Sequence, residues 1–127
     1  MDKSYPQHIK IGRVGEDIAR RWLISRGHKI ISQNWRLFWS EIDIITLKDT
    51  KTFFVEVKTI ARDHMSDFEK EGVDPIDNLH EKKIKKLMRA IEIYTSKNNI
   101  DDWELIGVLV YMAKVEKIAK VEMVDSI

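Results

Sequence analysis

Apolar residues recur at helical spacing from His8 to Arg26. Ile11, Val14, Gly15, Ile18, Ala19, Trp22 and Leu23 fall on one stripe of a helical wheel, and Gly27 supplies a C-terminal stop. The period then shortens. Lys29 to Trp35, Glu41 to Leu47 and Thr52 to Ile60 read as strands, the last two rich in β-branched residues and joined by the polar turn Lys48-Asp49-Thr50-Lys51. Ala61 to Pro75 is polar and irregular, a long loop by pattern. A second amphipathic helix is predicted from Asp77 to Ser96, capped by Asp77 or Asn78 and closed by Asn98-Asn99. Trp103 to Met112 is a nearly continuous apolar run, as in a strand buried on both faces, and Val115 to Val124 alternates weakly. The order α-β-β-β-α-β(-β) predicts a mixed α/β domain with a central sheet of four to five strands flanked by helices.

Length and composition narrow this further. A chain of 127 residues has room for one domain, expected over 1–127. No run is apolar for long enough to cross a membrane as a helix, and residues 1–8 lack the apolar stretch of a secretory signal. Cysteine is absent, which removes disulfides, thiolate metal sites and cysteine nucleophiles together. A cytoplasmic protein is expected. The net charge is only +1, so an overall basic field is no argument for nucleic acid; any such argument rests on how the charges are segregated.

They are segregated in two places. The first is Glu41-Ile42-Asp43 followed by Glu56-Val57-Lys58. Side chains alternate along strands, so Glu41 and Asp43 share a face, as do Glu56 and Lys58. A hairpin closed at Asp49-Thr50 makes paired positions sum to 99, which opposes Asp43 to Glu56 and Glu41 to Lys58. Ile42, Ile44, Val55 and Val57 then point together into apolar packing. Two readings fit this cluster: a wet surface salt-bridge network, or a carboxylate pair awaiting a cation such as Mg²⁺. Glu16 lies at the margin of the first helix's apolar stripe, facing the sheet edge or paired with Arg20 four residues on.

The second is Lys82-Lys83-Ile84-Lys85-Lys86-Leu87-Met88-Arg89. Lys82, Lys85, Lys86 and Arg89 form one stripe, either a solvated helix face or a track for a phosphate backbone. Lys83 falls among the apolar positions, so it either snorkels outward or is aimed at something anionic. Trp35, Arg36, Phe38 and Trp39 precede the carboxylates; such rings beside an arginine stack on unpaired bases, pack at a hairpin turn or meet a second chain. The four histidines show no metal-ligand spacing, and no glycine-rich phosphate loop is present.

Four ordered motifs resemble a known pattern. Gly12, Gly15, Glu16 and Ala19 match Gly-x-x-Gly-Glu-x-x-Ala; Asn34, Arg36, Glu41, Ile42 and Asp43 match Asn-x-Arg ahead of Gly-Glu-Ile-Asp, with Ser40 in place of the glycine. Phe54 to Lys58 match Phe-Val-Glu-Val-Lys, and Lys83, Leu87 and Tyr94 match the second helix. The sequence thereby resembles the YraN-like family of the PD-(D/E)XK nuclease superfamily, related to Holliday junction resolvases. The resemblance implies a restriction-endonuclease-like fold and a metal-dependent DNA endonuclease, with selectivity for branched or single-stranded DNA and a homodimer among the expectations. It implies Mg²⁺ or Mn²⁺ held by Asp43, Glu56 and the Val57 carbonyl, with Glu16 holding a second metal or orienting the ligands of the first; Lys58 as the catalytic amine; and phosphate contacts from Lys83, Lys82, Lys85, Lys86, Arg89 and Arg36. The alternative it leaves is a catalytically silent module of the same fold that binds nucleic acid or protein.

Overall fold

A computed structural model describes residues 7–71 and 81–125. Helix α1 spans Gln7–Ser25, followed by strands β1 (Lys29–Leu37), β2 (Ser40–Lys48) and β3 (Lys51–Arg62). A short helix α2 (Ser66–Glu71), helix α3 (Glu81–Asn98) and strands β4 (Trp103–Ala113) and β5 (Ile118–Val124) complete the order. The strands form one sheet in the order β1-β2-β3-β4-β5. Among the described strands only β3 and β4 run parallel; the other neighbouring pairs are antiparallel. The parallel pair requires a crossover, and α2 and α3 lie in it. This is the mixed, helix-flanked sheet expected from the pattern. Among the described residues, no helix is long and apolar enough to cross a membrane.

Helices cover both faces. On one, Ala19 and Leu23 of α1 pack on Ile44, Val55, Ile106, Val108 and Val110. On the other, Leu87, Ala90 and Ile91 of α3 pack on Ile42, Ile45 and Phe54. Phe54 is fully buried and meets Tyr94 and Trp103 edge-on, each with ring centroids 5.6 Å away. The buried run Ile106 to Val110 explains why β4 lacks alternation: it has apolar cover above and below.

Two differences from the pattern have local causes. The expected loop after Ala61 contains α2, only six residues long and too short to show a stripe. It is held by Asp67, whose Oδ2 accepts from the His64 N–H (3.0 Å), and by Phe68 against the Tyr111 ring (5.1 Å). The last strand begins at Ile118 because Lys114 to Lys117 turn, with Lys117 at φ 58°. The expected cap at Asp77 or Asn78 lies outside the described residues.

The α1 face approaches β3 closely at one point. A Cβ at Gly15 would overlap the Thr59 side chain, including its hydroxyl. Glycine is required there for helix–sheet distance rather than for backbone freedom, and it sets the height at which the next residue, Glu16, reaches over the sheet. Gly15→Ala is expected to cost about 1–3 kcal/mol through overpacking, read as a lower urea midpoint. Gly12→Ala has open space around its added methyl and should be neutral or mildly stabilising.

Candidate metal and phosphate site at a break in strand β2

The β2–β3 hairpin closes through Asp49 (φ 49°) and Thr50 (φ 68°), both left-handed, as a type I′ turn requires. Its ladder runs from Lys48–Lys51 to Ile44–Val55 in the register expected from the sequence. It does not continue. In such a hairpin alternate pairs exchange backbone hydrogen bonds, so the Val57 N–H would go to the Ile42 carbonyl. It donates instead to Oδ2 of Asp43, at 2.8 Å.

The reason lies in the alternation. Ile45 and Ile42, three residues apart, both pack against α3, which a strand of period two cannot arrange without a break. The break falls at Asp43. On β1 the matching irregularity is Asn34, at φ 52°, between Gln33, paired with Ile44, and Trp35, paired with Ile42. Ile42 therefore leaves the α1 face, where the sequence pattern puts it beside Ile44, and joins the α3 face. Asp43 turns toward β3. The sequence pattern also opposes Asp43 to Glu56 and Glu41 to Lys58. The ladder ends before both pairs, and Glu41 instead meets Arg36 across β1, Nε to Oε2 at 3.4 Å.

Carboxylates converge on this break from both faces. From the α1 side, Asn34, with its amide nitrogen turned to them, donates to Oε1 of Glu41 (2.7 Å) and Oε2 of Glu16 (3.2 Å). Arg20, the alternative partner for Glu16, is taken by Asp17 at 3.1 Å. From the α3 side, the buried Glu56 meets Lys83, Nζ to Oε1 at 2.8 Å. Of the two roles open to Lys83, snorkelling or facing an anion, the structure shows the second. Lys58 follows Glu56 by two positions and shares its face by alternation, but no described carboxylate pairs with it.

The electrostatics record the crowding. Burial, and then the charge of Glu56, push the Asp43 carboxyl up to about 8; the Val57 N–H works against them, and Glu16 and Glu41 add to the rise. Burial also raises Glu16, followed by the charge of Glu41, while Asn34 offsets part of it. For Lys83, burial disfavours the charged amine, but the hydrogen bond and charge of Glu56, with the charge of Asp43, outweigh it and raise its pKa. The protein thus stabilises the ammonium of Lys83 and favours a proton on Asp43, which is how a site short of positive charge behaves.

Two clefts meet at Glu41. One, of about 250 Å³, is lined by Trp39, Ser40, Asp43, Glu56, Lys83 and Lys86. The other, of about 860 Å³, runs under α1 past Gly12, Arg13, Glu16, Asn34 and Arg36. Among the described residues no three His, Asp or Glu side chains already form a cage around one point. The donor set nonetheless suits Mg²⁺ or Mn²⁺: hard carboxylate oxygens, mutually repelling, with space for the waters and phosphate oxygens that Mg²⁺ keeps. Of the basic stripe, Lys86 reaches the smaller cleft, Lys85 is exposed, and Arg89 pairs with Glu92 at 3.1 Å; the Lys82 side chain lies outside the described residues.

Asn34 is the residue whose role sequence reasoning missed. Its signal was present: asparagine is among the few side chains that tolerate the left-handed region, and here it stands mid-strand.

The Asp43 shift makes a stability prediction. Between the ordinary carboxyl value and about 8, the folded protein holds a proton that the unfolded chain has lost. The stability owed to Asp43 is therefore complete below about pH 4 and drains away as pH rises through about 8. Asp43→Asn keeps an acceptor for the Val57 N–H and removes the charge. Without divalent cations, its urea midpoint should exceed that of wild type at pH 8–9, and the two should converge toward pH 4. Parallel curves would show that Asp43 is ionised throughout.

Comparison with known proteins places the chain. The family described as uncharacterised protein family UPF0102 matches residues 15–121. The chain is similar to a UPF0102 protein of a Nitratiruptor species, 36% identical over 109 residues that cover 85% of this chain and 88% of the relative. It is similar also to one from Parabacteroides distasonis, 34% identical over 72% of this chain and 69% of the relative, and to one from Campylobacter fetus subsp. fetus, 33% identical over 71% and 72%. The matched span takes in Glu16, Asn34, Asp43, Glu56, Lys58 and Lys83, and the chain belongs to the UPF0102 family.

Proposed function

We propose that this chain is a metal-dependent DNA endonuclease acting in the cytoplasm on branched or single-stranded DNA. The observation that carries the reading is the Asp43 carboxylate held by the Val57 N–H beside buried Glu56, in a cleft that lysines border. Asp43 and Glu56, with the Val57 carbonyl, would hold Mg²⁺ or Mn²⁺. A bound divalent ion supplies an acidified water and neutralises charge developing on phosphate. Lys58, on the same face as Glu56, would place its ammonium where it can orient the attacking water or steady charge developing on the phosphoryl oxygens. Glu16, through Asn34 and with Glu41, fixes the α1 side of the site. Lys86 and Lys85 meet the backbone, with Lys82, Arg89 and Arg36 as further phosphate contacts, and a homodimer would present two such sites to a junction.

The decisive experiment incubates the protein with labelled single-stranded, duplex and four-way-junction DNA, with Mg²⁺, Mn²⁺ or chelator. Cleavage should require the metal. Glu56→Gln and Lys58→Ala should lower it by at least about 10²-fold, on the scale of losing one preorganised charged group, while DNA binding persists. Melting temperature should rise with Mn²⁺ in wild type and not in Glu56→Gln.

Lys83 favours a second reading, a silent module of the same fold, because its ammonium, 2.8 Å from Glu56, offsets the charge that would hold a cation. One substitution separates the two. If Lys83 and a divalent cation compete for Glu56, Lys83→Gln should bind Mn²⁺ more tightly than wild type by calorimetry and melt lower without it. In the silent module the melting temperature falls and neither protein takes up Mn²⁺.

A further inference from the structure

The β1–β2 hairpin ends in two aromatic residues, one of them wholly exposed. Leu37 pairs with Ser40, leaving Phe38 and Trp39 as the two-residue tip. Phe38 is 105% exposed and Trp39 40% exposed. Packing of Phe38 at the turn, one of the roles open to these rings in the sequence, is therefore not what the fold does with it. Burying a ring of this size is worth about 1.5–3 kcal/mol, so a fully exposed one forgoes stability that the fold does not recover.

The tip is not isolated. Trp39 lines the same cleft as Asp43, Glu56, Lys83 and Lys86. Arg36 stands two residues before Phe38, its side chain 73% exposed even while its Nε faces Glu41. An apolar surface of two rings falls well short of the roughly 800 Å² per partner that a stable protein interface buries. Flat rings flanked by cations instead match a ligand that is itself planar and apolar on its faces and anionic along its length. A nucleic-acid strand has that construction, and every base offers a π-face whatever its sequence. In a duplex those faces are stacked on each other and closed to side chains.

We propose that Phe38 and Trp39 form a stacking platform for unpaired nucleobases, which sets the adjoining backbone at the Asp43–Glu56 cleft. This rests on the nuclease reading only for the class of partner; it adds that the tip, rather than the metal site, selects unpaired strands.

The test measures binding in chelator, so no cleavage intervenes. Fluorescence anisotropy would compare an oligothymidine strand with a blunt duplex of equal length, for wild type, Phe38→Ala, Trp39→Ala, Phe38→Tyr and Trp39→Phe. Each alanine variant should lose about 5- to 150-fold in affinity for the single strand, with duplex affinity nearly unchanged. The aromatic replacements should keep most of it. Because Phe38 is exposed, melting temperature should not move in Phe38→Ala; for half-buried Trp39, the Phe variant carries the same control. Equal losses on both DNAs, or no loss on either, would overturn the proposal, as would no binding by wild type. So would a dimer that sedimentation shows dissociating in Phe38→Ala, which makes the tip a contact between copies. A separate Mn²⁺ cleavage assay keeps the two ideas apart. A protein that prefers single strands through its tip yet cuts nothing loses the nuclease reading alone. One that cuts, with tip variants unchanged in preference, loses the platform alone.

Discussion

The hydrogen bond from the Val57 N–H to Asp43 is where the sheet stops being ordinary and the site begins. A backbone donor inside a sheet must find an acceptor, and unsatisfied it costs more than a made bond returns. Once Asp43 supplies that acceptor, its carboxylate is fixed against the backbone of β3. Everything near it follows. The strand reverses its alternation, Ile42 moves to the α3 core, and Asn34 adopts its left-handed backbone opposite. Carboxylates from α1, β2 and β3 can then look toward a common region, although their elements cover different sides of the sheet.

Such an arrangement is expensive in a metal-free protein. Buried like charges raise each other's proton affinity, and the fold moderates this with one exposed-stemmed lysine, one asparagine and one backbone amide. These partners differ in how readily they let go. The amide and Asn34 are tied to strands with paired neighbours. Lys83 is more than half exposed, so it is the partner most easily exchanged for another cation or for an anion on a ligand.

The elements were legible in the sequence because their causes are local. A 3.6-residue stripe, a two-residue turn and a doubly buried strand each leave a pattern that needs no knowledge of the rest of the chain. The β2–β3 register was legible for the same reason, through Asp49 and Thr50. What was not legible was the break at Asp43. Period-two reasoning assumes that alternation persists, and it carried Ile42 to the wrong face and Glu41 to Lys58. The competition between a carboxylate and a backbone carbonyl for one N–H is a tertiary fact, decided by β1 and α1 together. Likewise Lys83 announced itself by standing among apolar positions, while the identity of its anion depended on how far α3 lies from β3. The short α2 escaped because six residues hold too little periodicity to read.

The distortion of β1 has a consequence for the outside of the molecule. Among the described residues β1 is the last strand on its side of the sheet, and such a strand presents a row of backbone groups to any passing chain. Here the row is interrupted twice, by a register shift between Ile30 and Ser32 and by the left-handed Asn34. Ile31, half exposed on that margin, is thereby left without a straight strand around it on which a second sheet could grow. The irregularity that aims acidic groups inward therefore also guards the rim against self-association, and straightening it to regularise the strand would invite aggregation at the same time as it dismantled the cleft.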